Sequence, residues 1–145
     1  MSSVELMETI KRIALHQIVI QSAFDGDAYL NWNSSEIRYG SFNVSLRDIT
    51  YNGNLTTYSL VLYYGDRLLQ DGSNANQIYT DGINALQSII NLLNRASNVE
   101  IEDDIRYTPF IQTFADYLAG VYTTINLTTE MEVDYEQCSW TNRHD

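Results

Sequence analysis

The sequence predicts an α+β domain in which two amphipathic helices pack on a largely antiparallel four-stranded sheet. Three observations carry this. Apolar residues recur at three- and four-residue intervals over 3–22 and again over 74–95. Between and after these stretches the period drops to two, as half-buried strands require. An Asn-Gly pair lies between the first two alternating runs, where a tight hairpin turn needs positive φ. The expected order is helix, hairpin, helix, hairpin, with both apolar stripes buried on one face of the sheet.

The first helix is expected over 3–22. Ser2 and Glu5 have capping-box spacing, and Leu6, Ile10, Ile13, Ala14 and Ile18 then mark one face. Residues 24–35 are dense in Gly, Asp, Asn and Ser, whose side chains satisfy nearby backbone groups, and so predict a loop. From Tyr39 onward, Phe42, Val44 and Leu46 alternate with Asn43, Ser45 and Arg47. The partner strand, 57–64, sets Tyr58, Leu60, Leu62 and Tyr64 on its apolar face, and Asn52 and Gly53 supply the turn between the two.

In the second helix, Ile78, Gly82, Ala85, Leu86, Ile89, Ile90 and Leu93 form the buried stripe. A mid-helix glycine costs about 1 kcal/mol relative to alanine, so Gly82 points to a close approach of backbone to sheet. The acidic stretch 100–104 predicts a solvated loop. The aromatic and β-branched run 107–117 predicts a strand that Pro109 confines to an edge or bulge. Gly120 is expected at a turn, after which Val121, Thr123, Ile125, Leu127, Thr129, Met131 and Val133 alternate with a Thr- and Glu-rich face. Residues 1–137 form one domain in this reading, and 138–145 a polar tail.

A chain of 145 residues that is 44% apolar fills one core, burying roughly 70% of its unfolded surface. Eight basic against nineteen acidic residues give a net charge of −11. That charge opposes nucleic-acid binding, which draws its affinity from Lys and Arg on phosphates. The charge is the ordinary means by which a domain stays soluble, and it would equally suit a surface past which DNA slides without being gripped. Cys138 is the only cysteine, so no intrachain disulfide forms, and with no base beside it in sequence it is expected to be inert. Glu5 and Glu8 among the apolar residues of the N-terminus argue against a signal peptide or membrane span there.

The sequence holds no recognisable catalytic apparatus. His16 and His144 are the only histidines, and neither has a partner in sequence for proton transfer. Two distant histidines and one cysteine do not make a structural zinc site. The acidic stretches at Asp25-Gly26-Asp27 and 100–104 lack the twelve-residue calcium loop. Phosphate-binding, dinucleotide-binding and nucleophile-elbow motifs are all missing from the chain. The expectation is therefore of no catalytic residues, no cofactor and no metal.

One segment stands out, the charged and aromatic crossing over 63–74 from strand to helix. Asp66, Arg67 and Asp71 are compatible with a self-capped loop and equally with an intersubunit contact, since the Arg fork suits a carboxylate across an interface. Eleven tyrosines exceed what a core of this size needs and favour assembly. Tyr64, Asp66, Arg67, Asp71 and Pro109 are the expected subunit-interface residues.

Residues 58–93 run Tyr-Ser-Leu-Val-Leu-Tyr-Tyr-Gly-Asp-Arg-Leu-Leu-Gln-Asp-Gly-Ser-Asn and, from Ile78, Ile-Tyr-Thr-Asp-Gly-Ile-Asn-Ala-Leu-Gln-Ser-Ile-Ile-Asn-Leu-Leu. This stretch resembles small neck and tail proteins of tailed bacteriophages, including the ring proteins of crAss-like phages of Bacteroidetes. It looks like a tail-terminator or tail-completion subunit. The resemblance implies a structural virion protein forming a homo-oligomeric ring, six- or twelvefold, that contacts portal, neck and tail proteins around a DNA channel. It brings no catalytic residues with it. The competing readings are a monomeric peptide-binding module that uses an exposed sheet edge and a small enzyme built from unrecognised carboxylates.

Overall fold

The computed structural model describes residues 2–34, 37–95, 99–102, 104–113 and 117–130. Helix α1 (Ser3–Leu15) begins as expected, with the Ser2 hydroxyl accepting from the Glu5 N–H at 3.2 Å and Leu6, Met7, Ile10 and Ala14 buried. It ends at Leu15 instead of continuing to Ser22. The β-branched run Ile18-Val19-Ile20 is stiff at χ1 and favours extended backbone over helix. Ile18, placed by the helical pattern on the apolar face, is 94% exposed.

The chain then enters β1 (Ser22–Asp25) and a short helix, α2 (Ala28–Trp32), within the stretch expected to be loop. Asp27 starts α2, its carboxylate accepting from the Leu30 N–H at 3.2 Å. Strands β2 (Ser41–Asn52) and β3 (Leu55–Arg67) form the predicted hairpin, with Gly53 in its turn at φ +65° and a register shift between Leu46 and Asp48. Helix α3 (Ala75–Asn94) is followed by β4 (Val99–Ile101), β5 (Thr108–Thr113) and β6 (Tyr117–Glu130).

The fold is α+β, but it is not two helices on a four-stranded antiparallel sheet in helix-hairpin-helix-hairpin order. It has three helices and a six-stranded mixed sheet ordered β1-β2-β3-β6-β4, with β5 also paired to β6. The β1–β2 pair is parallel, and the remaining pairs are antiparallel. The start of the acidic run expected as a loop belongs to β4, where Val99 and Ile101 are buried while Glu100 between them is exposed. Gly120 is not at a turn. It lies within β6, opposite Gly65 on one side and Phe110 on the other.

Helices α1 and α3 cover one face of the sheet. Leu6, Ile10, Leu86 and Ile89 meet Leu60, Leu62, Ile125 and Leu127 in one buried cluster. Gly82 makes the close approach its place in the helix implied: a Cβ there would lie 2.7 Å from Val121 Cγ2 and 2.8 Å from the Tyr64 ring. The Met131 and Val133 end of the expected last strand lies outside the described residues, as do Cys138, His144 and the predicted tail.

A Cβ at Gly120 would collide with the carbonyl oxygen of Tyr64, a backbone atom that no rotamer change can move aside. Gly120→Ala is therefore expected to destabilise the fold by about 2 kcal/mol or more, as overpacking does when only backbone can yield. Urea denaturation followed by circular dichroism measures this. An unchanged midpoint would show that β3 and β6 are not in this register.

Candidate functional site: an aromatic cup on the open face of the sheet

Alternation along β3 and β6 sends Val61, Tyr63 and Gly65, with Leu118, Gly120 and Tyr122, to the face away from α1 and α3. Over this face lies Trp32 at the end of α2, fully buried, its ring so near Gly65 that a Cβ there would come within 2.8 Å of it. A side chain at position 65 would push the indole off the sheet.

Four rings close a cycle around that contact. Trp32 stacks on Phe110 with centroids 6.1 Å apart and planes 25° apart, and it meets Tyr63 edge-on at 6.2 Å and 77°. Tyr122 completes the ring, 5.8 Å from Tyr63 and 6.2 Å from Phe110. These are the offset and tilted arrangements that aromatic quadrupoles favour. They form the wall of a cup of about 340 Å³, whose polar lining comes from Asp27, Ser45 and Gln112.

Hydrogen bonds fix the rim on the α2 side. Asn43, fully buried, donates to the Gly26 carbonyl at 3.0 Å and accepts from Asn31 Nδ2 at 2.8 Å. Ser45 Oγ donates to the same Gly26 carbonyl at 2.6 Å, and Asn31 Nδ2 also donates to the Asp25 carbonyl at 2.8 Å. The turn carrying Asp27 is thus tied to β2 by the half-buried Asn31 and the fully buried Asn43, whose amide would cost a few kcal/mol if left unpaired. Burial pushes the Tyr63 hydroxyl above its ordinary pKa, and Tyr122 and the Asp27 carboxylate raise it further. Arg47 partly offsets this.

The residues expected at a subunit interface fall into three settings. Tyr64 is buried in the core against α3, and that burial is the main reason its phenol is held well above the usual tyrosine range. Asp66, Arg67 and Asp71 lie at the end of β3 and in the loop after it, where the chain bonds to itself. Asp66 Oδ1 accepts from the Arg67 N–H at 2.8 Å and Asp71 Oδ1 from the Ser73 N–H at 3.0 Å. Asn74 accepts from the Leu69 N–H at 2.9 Å and donates to the Arg67 carbonyl at 3.1 Å. The Arg67 guanidinium sits 4.4 Å over the Tyr39 ring. Pro109 is exposed on β5, in the cross-strand row of Val121 and Tyr64.

Sequence reasoning did not find the cup. Trp32 lay in an expected loop, Phe110 in an edge strand and Tyr63 and Tyr122 on faces expected to be polar. The available signal was two large aromatics, Tyr63 and Tyr122, at out-facing positions of two strands, each two residues from a glycine, Gly65 and Gly120.

Among the described residues, no three of His, Cys, Asp and Glu are grouped as a metal would need, and no helix is long and apolar enough to cross a membrane. Compared with known proteins, the chain matches no family model and no curated sequence.

Burial is the main cause of a raised Asp66 pKa, with Asp81 adding to it and the Arg67 N–H and side chain opposing it. A carboxyl whose folded pKa exceeds its unfolded one binds its proton more tightly when folded. Its contribution to stability is therefore largest in acid and is lost as pH rises from the ordinary carboxyl range through the folded pKa. Asp66→Asn keeps the acceptor for the Arg67 N–H and removes that loss. The variant is expected to gain on wild type as pH rises from 3 to 7, in urea titrations at a series of pH values. A pH-independent difference would remove Asp66 as the source.

Proposed function

We propose that the chain is a structural virion subunit that closes into an oligomeric ring in the neck or tail of a tailed bacteriophage, between portal-proximal and tail components. The resemblance over 58–93 supplies the phage context. The observation that carries the assembly reading is an open seam on β2. β1 covers only 41–44 of that strand, so among the described residues nothing pairs with the outer edge of 45–52. On the helix-side face of the same stretch, Leu46 is 39% exposed, Ile49 38% and Tyr51 65%.

Unpaired backbone donors and acceptors beside apolar side chains form a template for another strand, which natural proteins cover or blunt. A second copy is a suitable cover. A closed ring joins two different surfaces of neighbouring subunits, and the sheet has a second edge at its other end, in β5 with Pro109 and half-exposed Ile111. Joining the β2 edge of one copy to the β5 edge of the next carries the same orientation around the ring. The net charge of −11 keeps such a ring from gripping DNA that passes through it.

The same edge also favours a second reading, a monomeric module that captures an extended peptide by strand addition. Native mass spectrometry and light scattering across a wide concentration range separate the two. Discrete rings, six- or twelvefold, are expected at high concentration. Ile49→Glu, which places a charge at the seam, is expected to raise the concentration for half-assembly about tenfold or more while leaving the monomer's circular dichroism unchanged. A strict monomer that binds extended peptides along β2 would replace the ring with the binding module.

A further inference from the structure

We infer that the aromatic cup is a receptor for one guanidinium group, an arginine side chain presented by another protein chain. The inference rests on the cup alone and stands whether or not the chain forms a ring.

Charge complementarity decides the occupant. Among the described residues the lining offers five π-systems, Tyr29 and the four rings of the cycle, and a single formal charge, the Asp27 carboxylate, with no cationic residue in its walls. The faces of aromatic rings are negative, so rings and carboxylate attract the same kind of guest. A neutral apolar guest would take the Asp27 carboxylate and the Gln112 amide out of water without compensation. An anionic guest would meet the Asp27 charge and the negative ring faces together.

Shape and hydrogen bonding select guanidinium among cations. It is planar, weakly hydrated and stacks on aromatic rings, and its fork of donors suits a carboxylate. Asp27 spends one oxygen on the Leu30 N–H, and a carboxylate has further lone pairs to offer. The fold already uses this chemistry once, where Arg67 covers Tyr39. Arg47 lies outside the lining yet near enough to act on Tyr63, so it is the chain's own competitor for the field of the cup. The volume, about 340 Å³, admits a long side chain and its bridging waters but not a folded domain, which limits the contact to one side chain.

The probes are short capped peptides with a central arginine or its neutral isostere citrulline. Binding is read from the indole N–H signal of Trp32 in ¹⁵N spectra, assigned with Trp140→Phe because the chain has two tryptophans. The arginine peptide is expected to shift the Trp32 signal saturably and to bind about tenfold or more tightly than the citrulline peptide, a preference that shrinks as salt is raised. Asp27→Asn retains the helix cap, since Asn caps as well as Asp, and is expected to abolish that preference without unfolding α2. Arg47→Ala is expected to strengthen arginine binding. Equal binding of the two peptides, a preference that survives Asp27→Asn, or no saturable shift of the Trp32 signal would each overturn the assignment.

Discussion

The packing around Tyr64 is the constraint on which the rest of the structure depends. Its ring lies where a Cβ on Gly82 would come within 2.8 Å, so α3 rests directly on the middle of β3. Its hydroxyl occupies the space a Cβ on Gly40 would need, at 2.6 Å, and that fixes the entry into β2. Its carbonyl oxygen blocks a side chain at Gly120, which sets the approach of β6. One large residue surrounded by glycines on a helix, a loop and a neighbouring strand thus sets three spacings at once. Close packing transmits such spacings because interiors have little room to absorb an added methyl group. Across the same strand, Gly65 performs the equivalent service for Trp32, so the two faces of the sheet share one backbone reference.

The sequence made much of this frame legible and hid the rest for identifiable reasons. The hairpin was plain because its two strands alternate cleanly and Gly53 supplies the positive φ of the turn. Helix α3 was plain because its stripe is long and unbroken, and Gly82 announced the close approach that the structure has. Helix α1 was overextended because Ile18 falls on the helical period, and local β-branching outweighed periodicity there. The parallel strand β1 was invisible because four residues are too few to show a period, and its pairing depends on a stretch remote in sequence. Gly120 pointed to a turn because glycine in a strand usually signals either a turn or a close backbone approach, and only the position of Tyr64 decides between them.

The candidate site was less legible than the fold. Tyr64 and Arg67 stand out in the sequence as an aromatic and a cation beside a loop, yet one is core and the other is engaged with Tyr39 in its own chain. The cup draws on α2, β2, β3, β5 and β6, elements that come together only through the pairing of the whole sheet, so no window of sequence contains it. Aromatic residues at alternate positions of a sheet are usually assigned to a core, and here they form a second, smaller apolar surface with polar groups at its rim. Among the described residues the two faces thus differ in kind: α1 and α3 cover the centre of one, while a helix of five residues partly roofs the other.

Charge constrains how copies of this chain would meet in the proposed ring. With −11 on each copy, every approach of two copies is opposed by like charge, and at physiological ionic strength that opposition is screened beyond about 8 Å. A seam between copies must therefore bring uncharged groups together at short range and leave the acids outside it. The open stretch of β2 fits this requirement, since Leu46, Ile49 and Tyr51 share one face while Asp48 pairs opposite Ser59 on the other. Backbone hydrogen bonds along an added strand carry no net charge and cost nothing in repulsion, so an edge is the form of contact that an acidic subunit can best sustain. The cup solves the same problem in the opposite way, by concentrating negative potential where only a cation gains from entering.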